Sequence, residues 1–119
     1  MTDTTATTYP DTPAAVAAAV LDAIEREPEA FDMASWFWQP EGGALEPGQV
    51  PDCGTTMCVA GWAAHLTGWT LRNTQYAQKG DLVAAIEDIG QRALGLDRPH
   101  LFHESSAVAI NALREIAGH

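Results

Sequence analysis

The sequence predicts a mainly α protein, a small single-domain helical bundle around a buried central helix at about residues 56–67. Apolar residues recur at helical spacing in three other segments, at about residues 12–27, 82–94 and 106–117. The 56–67 segment contains no Asp, Glu, Lys or Arg, and a helix that is apolar all round is normally buried. A chain of 119 residues has the length of one domain.

The first predicted helix begins at Thr12, whose hydroxyl can cap the helix, with Pro13 at the first helical position. It runs to about Glu27. Its apolar face carries residues at positions i, i+4 and i+8, namely Val16, Val20 and Ile24. Residues 1–11 are rich in threonine and predict a flexible N-terminal arm, which leaves residues 12–119 as the helical domain.

Large apolar side chains are concentrated in residues 30–39. If this stretch is extended, Trp36 and Trp38 share one face and Phe37 points to the other, so we expect at least one aromatic residue at the surface. Proline and glycine then dominate residues 40–54 and predict a long loop, of the kind that is often functional or mobile.

The central helix should be capped by Thr55 or Thr56 and should end at Gly68. A glycine in the middle of a helix, here Gly61, destabilises it by about 1 kcal/mol relative to alanine. We therefore expect another stretch of backbone to pass close to Gly61.

The C-terminal half is predicted to be helical, and a short β-hairpin near residues 69–77 is allowed. Helical periodicity returns from about residue 82. The last helix is predicted to be capped by Ser105 or Ser106 and to end at Gly118.

The chain is acidic, with 16 Asp and Glu against 6 Lys and Arg and a net charge of −10. Residues 1–60 hold ten of the acidic residues and one of the basic ones. This balance argues against direct binding of nucleic acid or of an anionic membrane, because basic side chains supply most of that affinity.

We expect a soluble protein of the bacterial cytoplasm. The apolar run at residues 14–21 is too short to span a membrane, and residues 1–10 lack the features of a secretory signal. Two cysteines, Cys53 and Cys58, are too few for a disulfide scaffold, so we interpret both as free thiols.

Several motifs occur together and in a fixed order. They are Phe31-Asp32-Met33 with Trp36, Cys53-Gly54-Thr55-Thr56-Met57-Cys58-Val59-Ala60-Gly61-Trp62, Ala93-Leu94-Gly95-Leu96, Leu101-Phe102 and Ala112-Leu113. In these motifs the chain resembles a family of small uncharacterised proteins of actinobacterial phages and actinobacteria. The resemblance implies a phage accessory gene, and it implies no activity and no catalytic residue.

The cysteines and histidines allow two chemistries, a zinc site and a nucleophilic cysteine. Structural zinc prefers C-x2–4-C and H-x3–5-H spacings, whereas Cys53 and Cys58 are spaced C-x4-C, and His100 and His103 are spaced H-x2-H. A nucleophilic Cys58 would gain from the helix dipole, but His65 would lie ~10 Å along the helix, too far to act as its base. We therefore predict no catalytic residue, no metal site and no cofactor, and we interpret the histidines as surface or interface residues.

The predicted function is that of a non-enzymatic protein-binding accessory factor, encoded by a phage and acting on a host or phage protein. The acidic helix face formed by Asp22, Glu25 and Glu29 would steer a partner with a basic surface, and Phe37 or Trp38 would anchor it. One alternative is an acidic DNA mimic that decoys a nucleic-acid-binding protein. Another is a small metal- or thiol-dependent Cys/His protein. A homo-oligomer formed through the Ala-rich first helix is compatible with each of them.

Overall fold

The fold combines α-helices with a small β-sheet. The computed structural model describes residues 9–40, 42–51, 54–97 and 99–118. Across these residues the α-helices are α1 (Pro13–Arg26), α2 (Val59–Leu66), α3 (Ile86–Ala93) and α4 (Ser106–Ala117). The strands β1 (Thr70–Leu71), β2 (Tyr76–Lys79) and β3 (Leu82–Ala85) form one antiparallel sheet in the order β1-β2-β3. Short 3-10 helices span Pro28–Ala30 and Pro99–His103. The predicted mainly α helical bundle is therefore wrong, and the fold is mixed α/β.

The first and last helices begin and end where their capping residues predict. The Thr12 hydroxyl accepts a hydrogen bond from the Ala15 amide at 3.1 Å, and the Ser105 hydroxyl accepts one from the Val108 amide at 3.4 Å. Gly118 ends α4 in the left-handed conformation, with φ of +86°. The two helices pack against each other, and α1 also packs on α2.

The central helix is buried as predicted, because every residue from Val59 to His65 is buried. It starts later than expected, however, and its N-cap is Cys58, which makes no side-chain capping bond, rather than a threonine. Gly68 follows the helix with φ of +93°, which confirms the predicted end.

The threonines are not available as caps because the chain before α2 is extended. Thr56 pairs with Trp38 through two backbone hydrogen bonds, both of 2.9 Å, and the Met57 amide donates to the Ala30 carbonyl at 2.9 Å. The Cys58 amide donates to the Ser35 carbonyl at 2.7 Å. The chain from residue 30 to residue 38 is thus bound along residues 56–58 by backbone hydrogen bonds.

The sheet includes the hairpin that the sequence allowed and adds a strand that it did not predict. Leu71 pairs with Ala77 across β1 and β2, and Lys79 pairs with Leu82 across β2 and β3. The helix predicted from residue 82 was wrong, since residues 82–85 are β3 and α3 starts at Ile86. The intervening Gly80-Asp81 dipeptide is a typical two-residue hairpin turn.

The predicted loop at residues 40–54 is fixed near its midpoint. Leu45 is fully buried and exchanges two backbone hydrogen bonds with Leu71, each of 2.9 Å. This contact joins the loop to β1 and brings residues 42–43 close to the turn between β1 and β2.

Part of the predicted N-terminal arm, residues 1–8, lies outside the described residues. Tyr9 and Pro10 are half-buried. In the described ranges, no helix has the length and the apolar character needed to cross a membrane.

Candidate interaction site

Trp38 is a surface tryptophan on a fixed backbone. Its side chain is 48% exposed, whereas that of the neighbouring Phe37 is 2% exposed. The expectation of at least one surface aromatic residue is therefore confirmed. The chain bends at Trp36 and Phe37 rather than running extended, and Trp36 packs half-buried against the core instead of sharing the exposed face of Trp38. Phe37 is enclosed in the core, which argues against its predicted role as an anchor.

Beside Trp38 lies a cleft of about 250 Å³, which we call the Trp38 cleft. Its lining residues come from three separate segments: Phe37, Trp38, Gln39, Gly42, Gly43, Arg72, Asn73 and Thr74. The sequence indicated Phe37 and Trp38 but not the other lining residues. The contact between Leu45 and Leu71 brings the segments together, and no local pattern reports that contact.

One wall of the Trp38 cleft is held by Gln39. Its Nε2 donates to the carbonyls of Gly42 at 3.3 Å and Gly43 at 3.1 Å, and its Oε1 accepts from the Thr55 hydroxyl at 3.2 Å. Gly43 has φ of +86°, which non-glycine residues rarely adopt. These bonds fix the glycine turn close to the tryptophan.

The other wall is the turn between β1 and β2. Asn73 Oδ1 accepts hydrogen bonds from the amides of Gln75 and Tyr76, both at 2.9 Å. Arg72 precedes this turn and its side chain is exposed. Tryptophan and arginine are the residue types that most often dominate the binding energy of protein interfaces. The sequence analysis missed Arg72.

The predicted acidic face lies on the surface but outside the Trp38 cleft. Asp22, Glu25 and Glu29 are all exposed, and none of them is among the described lining residues of the cleft. Asp22 and Glu25 belong to α1, but Glu29 lies in the 3-10 helix Pro28–Ala30, so the three do not form the face of one helix as predicted. Asp22 Oδ2 is 2.9 Å from the Nε of Arg26, which offsets its charge. The structure thus places the acidic residues where they can contribute to a long-range field, without joining them to Trp38.

Cys58 does not resemble a catalytic thiol. It is fully buried, and burial raises the pKa of the Cys58 thiol from 9.0 to about 11. The amides of Gly61 and Ala60 act in the opposite direction but do not offset the loss of hydration. Burial therefore outweighs the lowering of the thiol pKa that a helix dipole would give.

Of the four residues considered for zinc, Cys53 and the side chain of His100 lie outside the described part of the chain. Within that part, no group of three or more His, Cys, Asp or Glu side chains is arranged to hold a metal ion. His103 is exposed, with its Nε2 3.2 Å from Glu87 Oε2, and its ring stands edge-on to that of Trp36.

Another cleft, of about 420 Å³, is lined by Tyr9, Trp69, Lys79 and other residues. Lys79 Nζ donates a hydrogen bond of 3.1 Å to the carbonyl of Thr67, the residue before Gly68. It also lies 5.9 Å from the ring centres of Tyr9 and Trp69. A cation near the C-terminal end of a helix is stabilising. These contacts indicate that Lys79 stabilises the C-terminal end of α2.

The fold and the Trp38 cleft define a small mixed α/β protein that presents a fixed surface tryptophan. No protein-family model, curated protein or solved structure matches the chain. The resemblance to actinobacterial phage proteins therefore stays a prediction from the sequence motifs.

Proposed function

We propose that this protein is a non-enzymatic protein-binding accessory factor that docks a partner against the Trp38 cleft, while its acidic surface outside the cleft attracts basic groups of that partner. The observation that supports the proposal best is a half-exposed tryptophan whose backbone is held by two hydrogen bonds to Thr56, beside an exposed Arg72. We further propose, from the motif resemblance, that it is encoded by a phage and acts on a host or phage protein in the bacterial cytoplasm. The buried thiol of Cys58 is compatible with that reducing compartment.

A fixed backbone favours Trp38 as an anchor. Binding through a mobile segment loses affinity to the ordering of that segment, whereas Trp38 is already held by two 2.9 Å hydrogen bonds to Thr56. Its ring offers a large apolar surface and an aromatic face that attracts cations. Arg72 adds hydrogen-bond donors at the edge of the cleft, suited to the backbone carbonyls of a partner.

The charge of the chain supports a basic partner. A net charge of −10, with exposed carboxylates at Glu25 and Glu29, accelerates the approach of a positively charged surface. This field acts before contact, so it does not require the acidic residues to line the Trp38 cleft. We expect the association rate to fall as salt is added.

The alternatives differ in what they require. A thiol-dependent protein needs a reactive sulfur, and the burial of Cys58 speaks against that chemistry. An acidic DNA mimic needs carboxylates at duplex-like spacing and a partner that DNA displaces. The proposal instead places the main binding energy at Trp38.

The test begins with cross-linking of the tagged protein in lysate of the native host and continues with the purified captured partner. Trp38→Ala is expected to weaken binding at least about 30-fold, as the loss of an interface anchor does. Val108→Ala removes an equally exposed apolar side chain from α4 and is expected to leave the affinity unchanged. The double variant Glu25→Lys and Glu29→Lys should lower the association rate more than it raises the dissociation rate.

Two results contradict the proposal. If Trp38→Ala binds the partner as tightly as the unaltered protein, the cleft is not the docking site. If duplex DNA displaces the partner while Trp38→Ala has no effect, the DNA-mimic alternative replaces it.

A further inference from the structure

A separate cleft of about 320 Å³ lies between α1, α2 and the loop at residues 48–51. We call it the Trp62 cleft. Trp62 and His65, three residues apart on α2, both line it, as do Gln49 and Pro51 of the loop. Its volume is at the lower end of the range found for small-molecule sites.

Two nitrogen atoms in the wall of the Trp62 cleft lack hydrogen-bond partners. Among the described residues, no group bonds to Trp62 Nε1 or to His65 Nδ1, although both atoms are buried. The side chains are 2% and 4% exposed. More than nine in ten buried polar groups in proteins are paired, and an unpaired one destabilises the fold by about 1–3 kcal/mol. Two such atoms in one wall indicate a missing polar partner.

The two atoms are complementary in their hydrogen bonding. The indole nitrogen of Trp62 can only donate. Burial lowers the pKa of His65, which keeps its ring neutral at pH 7, while the backbone carbonyl of Gln49 favours a proton on the ring nitrogen that faces it. Since Nδ1 has no partner, we assign the proton to Nε2 and the lone pair to Nδ1. One atom therefore needs an acceptor and the other needs a donor.

A hydroxyl group satisfies both requirements at once, because it accepts one hydrogen bond and donates another. The ring centres of Trp62 and His65 are 6.0 Å apart, so the two side chains are in edge-to-face contact and form one continuous part of the cleft lining. The backbone amide of a peptide cannot satisfy both requirements as compactly, since its donor and acceptor point in opposite directions.

The rest of the Trp62 cleft favours an uncharged molecule with an apolar body. Ala19, Val50 and Leu66 supply apolar surface. Arg26 and Glu27, which also line the cleft, carry opposite charges and give no net attraction to an ion.

We propose that the Trp62 cleft binds a small neutral molecule whose hydroxyl group lies between Trp62 Nε1 and His65 Nδ1. Each nitrogen exposes less than 1 Å² to solvent, so the hydroxyl reaches them when Val50 and Pro51 shift. Gln49 stays in place through its two hydrogen bonds with Glu46, of 3.0 and 3.1 Å, whereas Val50 is 67% exposed and contributes little packing that would resist the shift. The site is independent of the proposed protein-binding function.

The test uses phenol as the probe and fluorobenzene, which has the same ring without the hydroxyl, as its matched control. The indole N–H signals of the ¹⁵N-labelled protein are followed by NMR, with the Trp62 signal assigned from the Trp62→Phe variant. Phenol is expected to shift the Trp62 signal in a saturable way, with an affinity at least about tenfold higher than that of fluorobenzene, since a satisfied buried pair is worth about 1.4 kcal/mol.

His65→Leu removes one of the two hydrogen bonds and is expected to lower the phenol affinity towards that of fluorobenzene, whereas Trp69→Phe, in another cleft, should leave it unchanged. Three results overturn the proposal: no saturable shift with phenol, equal affinities for phenol and fluorobenzene, or a Trp62 indole proton with a nuclear Overhauser effect to a long-lived water that phenol does not displace. The last result assigns the two nitrogens to a structural water. The comparison of phenol with fluorobenzene is made on the unaltered protein, and if Trp62→Phe fails to fold, the Trp62 signal is assigned there by triple-resonance NMR.

Discussion

The backbone carbonyl of Trp36 occupies the space that a side chain at Gly61 would need. A Cβ atom on Gly61 would overlap this oxygen and would also come within 2.6 Å of the Met57 Cβ. This confirms the expectation that another backbone passes close to the glycine. The contact explains why a residue with poor helix propensity stands in the middle of α2.

Gly61→Ala is therefore expected to destabilise the protein by at least about 2 kcal/mol. Alanine gains about 1 kcal/mol in helix propensity, but a backbone carbonyl cannot move aside as a flexible side chain can, so the overlap outweighs the gain. Urea unfolding followed by circular dichroism measures the change. Asn111→Ala, at an exposed position of α4, is the control and should be neutral or slightly stabilising. A stable Gly61→Ala protein would show that Trp36 does not approach α2 closely.

Substitutions at Phe37 and Trp38 should differ sharply although the two residues are adjacent. Phe37→Ala removes a buried ring and is expected to lower the free energy of unfolding by about 3–5 kcal/mol. Trp38→Ala removes a half-exposed ring and should change it by less than about 1 kcal/mol. Thermal or urea unfolding of both variants checks the difference. Similar losses for the two variants would contradict the burial pattern on which the Trp38 cleft depends.

The Cys58 thiol should react slowly and should contribute to alkaline destabilisation. In a Cys53→Ser background, iodoacetamide is expected to modify Cys58 only as the protein unfolds, since the thiol is fully buried. Because folding raises the pKa from 9.0 to about 11, the folded state keeps its proton while the unfolded state loses it. Stability should thus fall by on the order of 2–3 kcal/mol as the pH rises from 9 to 11. The Cys53→Ser, Cys58→Ala double variant should lack this component, and rapid labelling at neutral pH would contradict the burial.

His65 should make the protein less stable in mild acid. Burial lowers the pKa of His65 in the folded state below its ordinary value of 6.5, so the unfolded state takes up the proton first as the pH falls. Stability is then fully present above pH 6.5 and decreases below it. Urea unfolding between pH 7.5 and 5.5 measures the effect. His65→Leu should remove much of this dependence, whereas His103→Gln, at an exposed histidine, should retain it. An unchanged pH dependence in His65→Leu would exclude a buried neutral histidine.

The sequence predicts α1 and α4 well because local interactions define them. Thr12 and Ser105 cap their helices through hydroxyl groups that lie three residues from the amides they bind, so the signal is contained within one turn. Gly118 ends α4 for an equally local reason, its left-handed conformation. The burial of α2 also follows from composition, because a segment without charged residues has no side to present to water.

The candidate site is predicted only in part. The sequence predicts a surface aromatic residue in this stretch, but the burial of Phe37 and the exposure of Trp38 depend on the bend at residues 36–37 and on the pairing of Trp38 with Thr56. The Trp38 cleft also needs Arg72, which is 34 positions away in the chain. Likewise, the histidines were expected at the surface or at an interface, whereas the neighbours of α2 enclose His65.

The amino-acid sequence alone determined the two capped helices, the uncharged central helix and the need for a close backbone approach at Gly61. The tertiary structure decided that residues 82–85 form a strand, that Phe37 is buried while Trp38 is exposed, and that Trp62 and His65 line a cleft. The physical reason is the range of the interactions. Caps and periodicity act within a few residues, whereas strand pairing, burial and clefts depend on which distant segments meet.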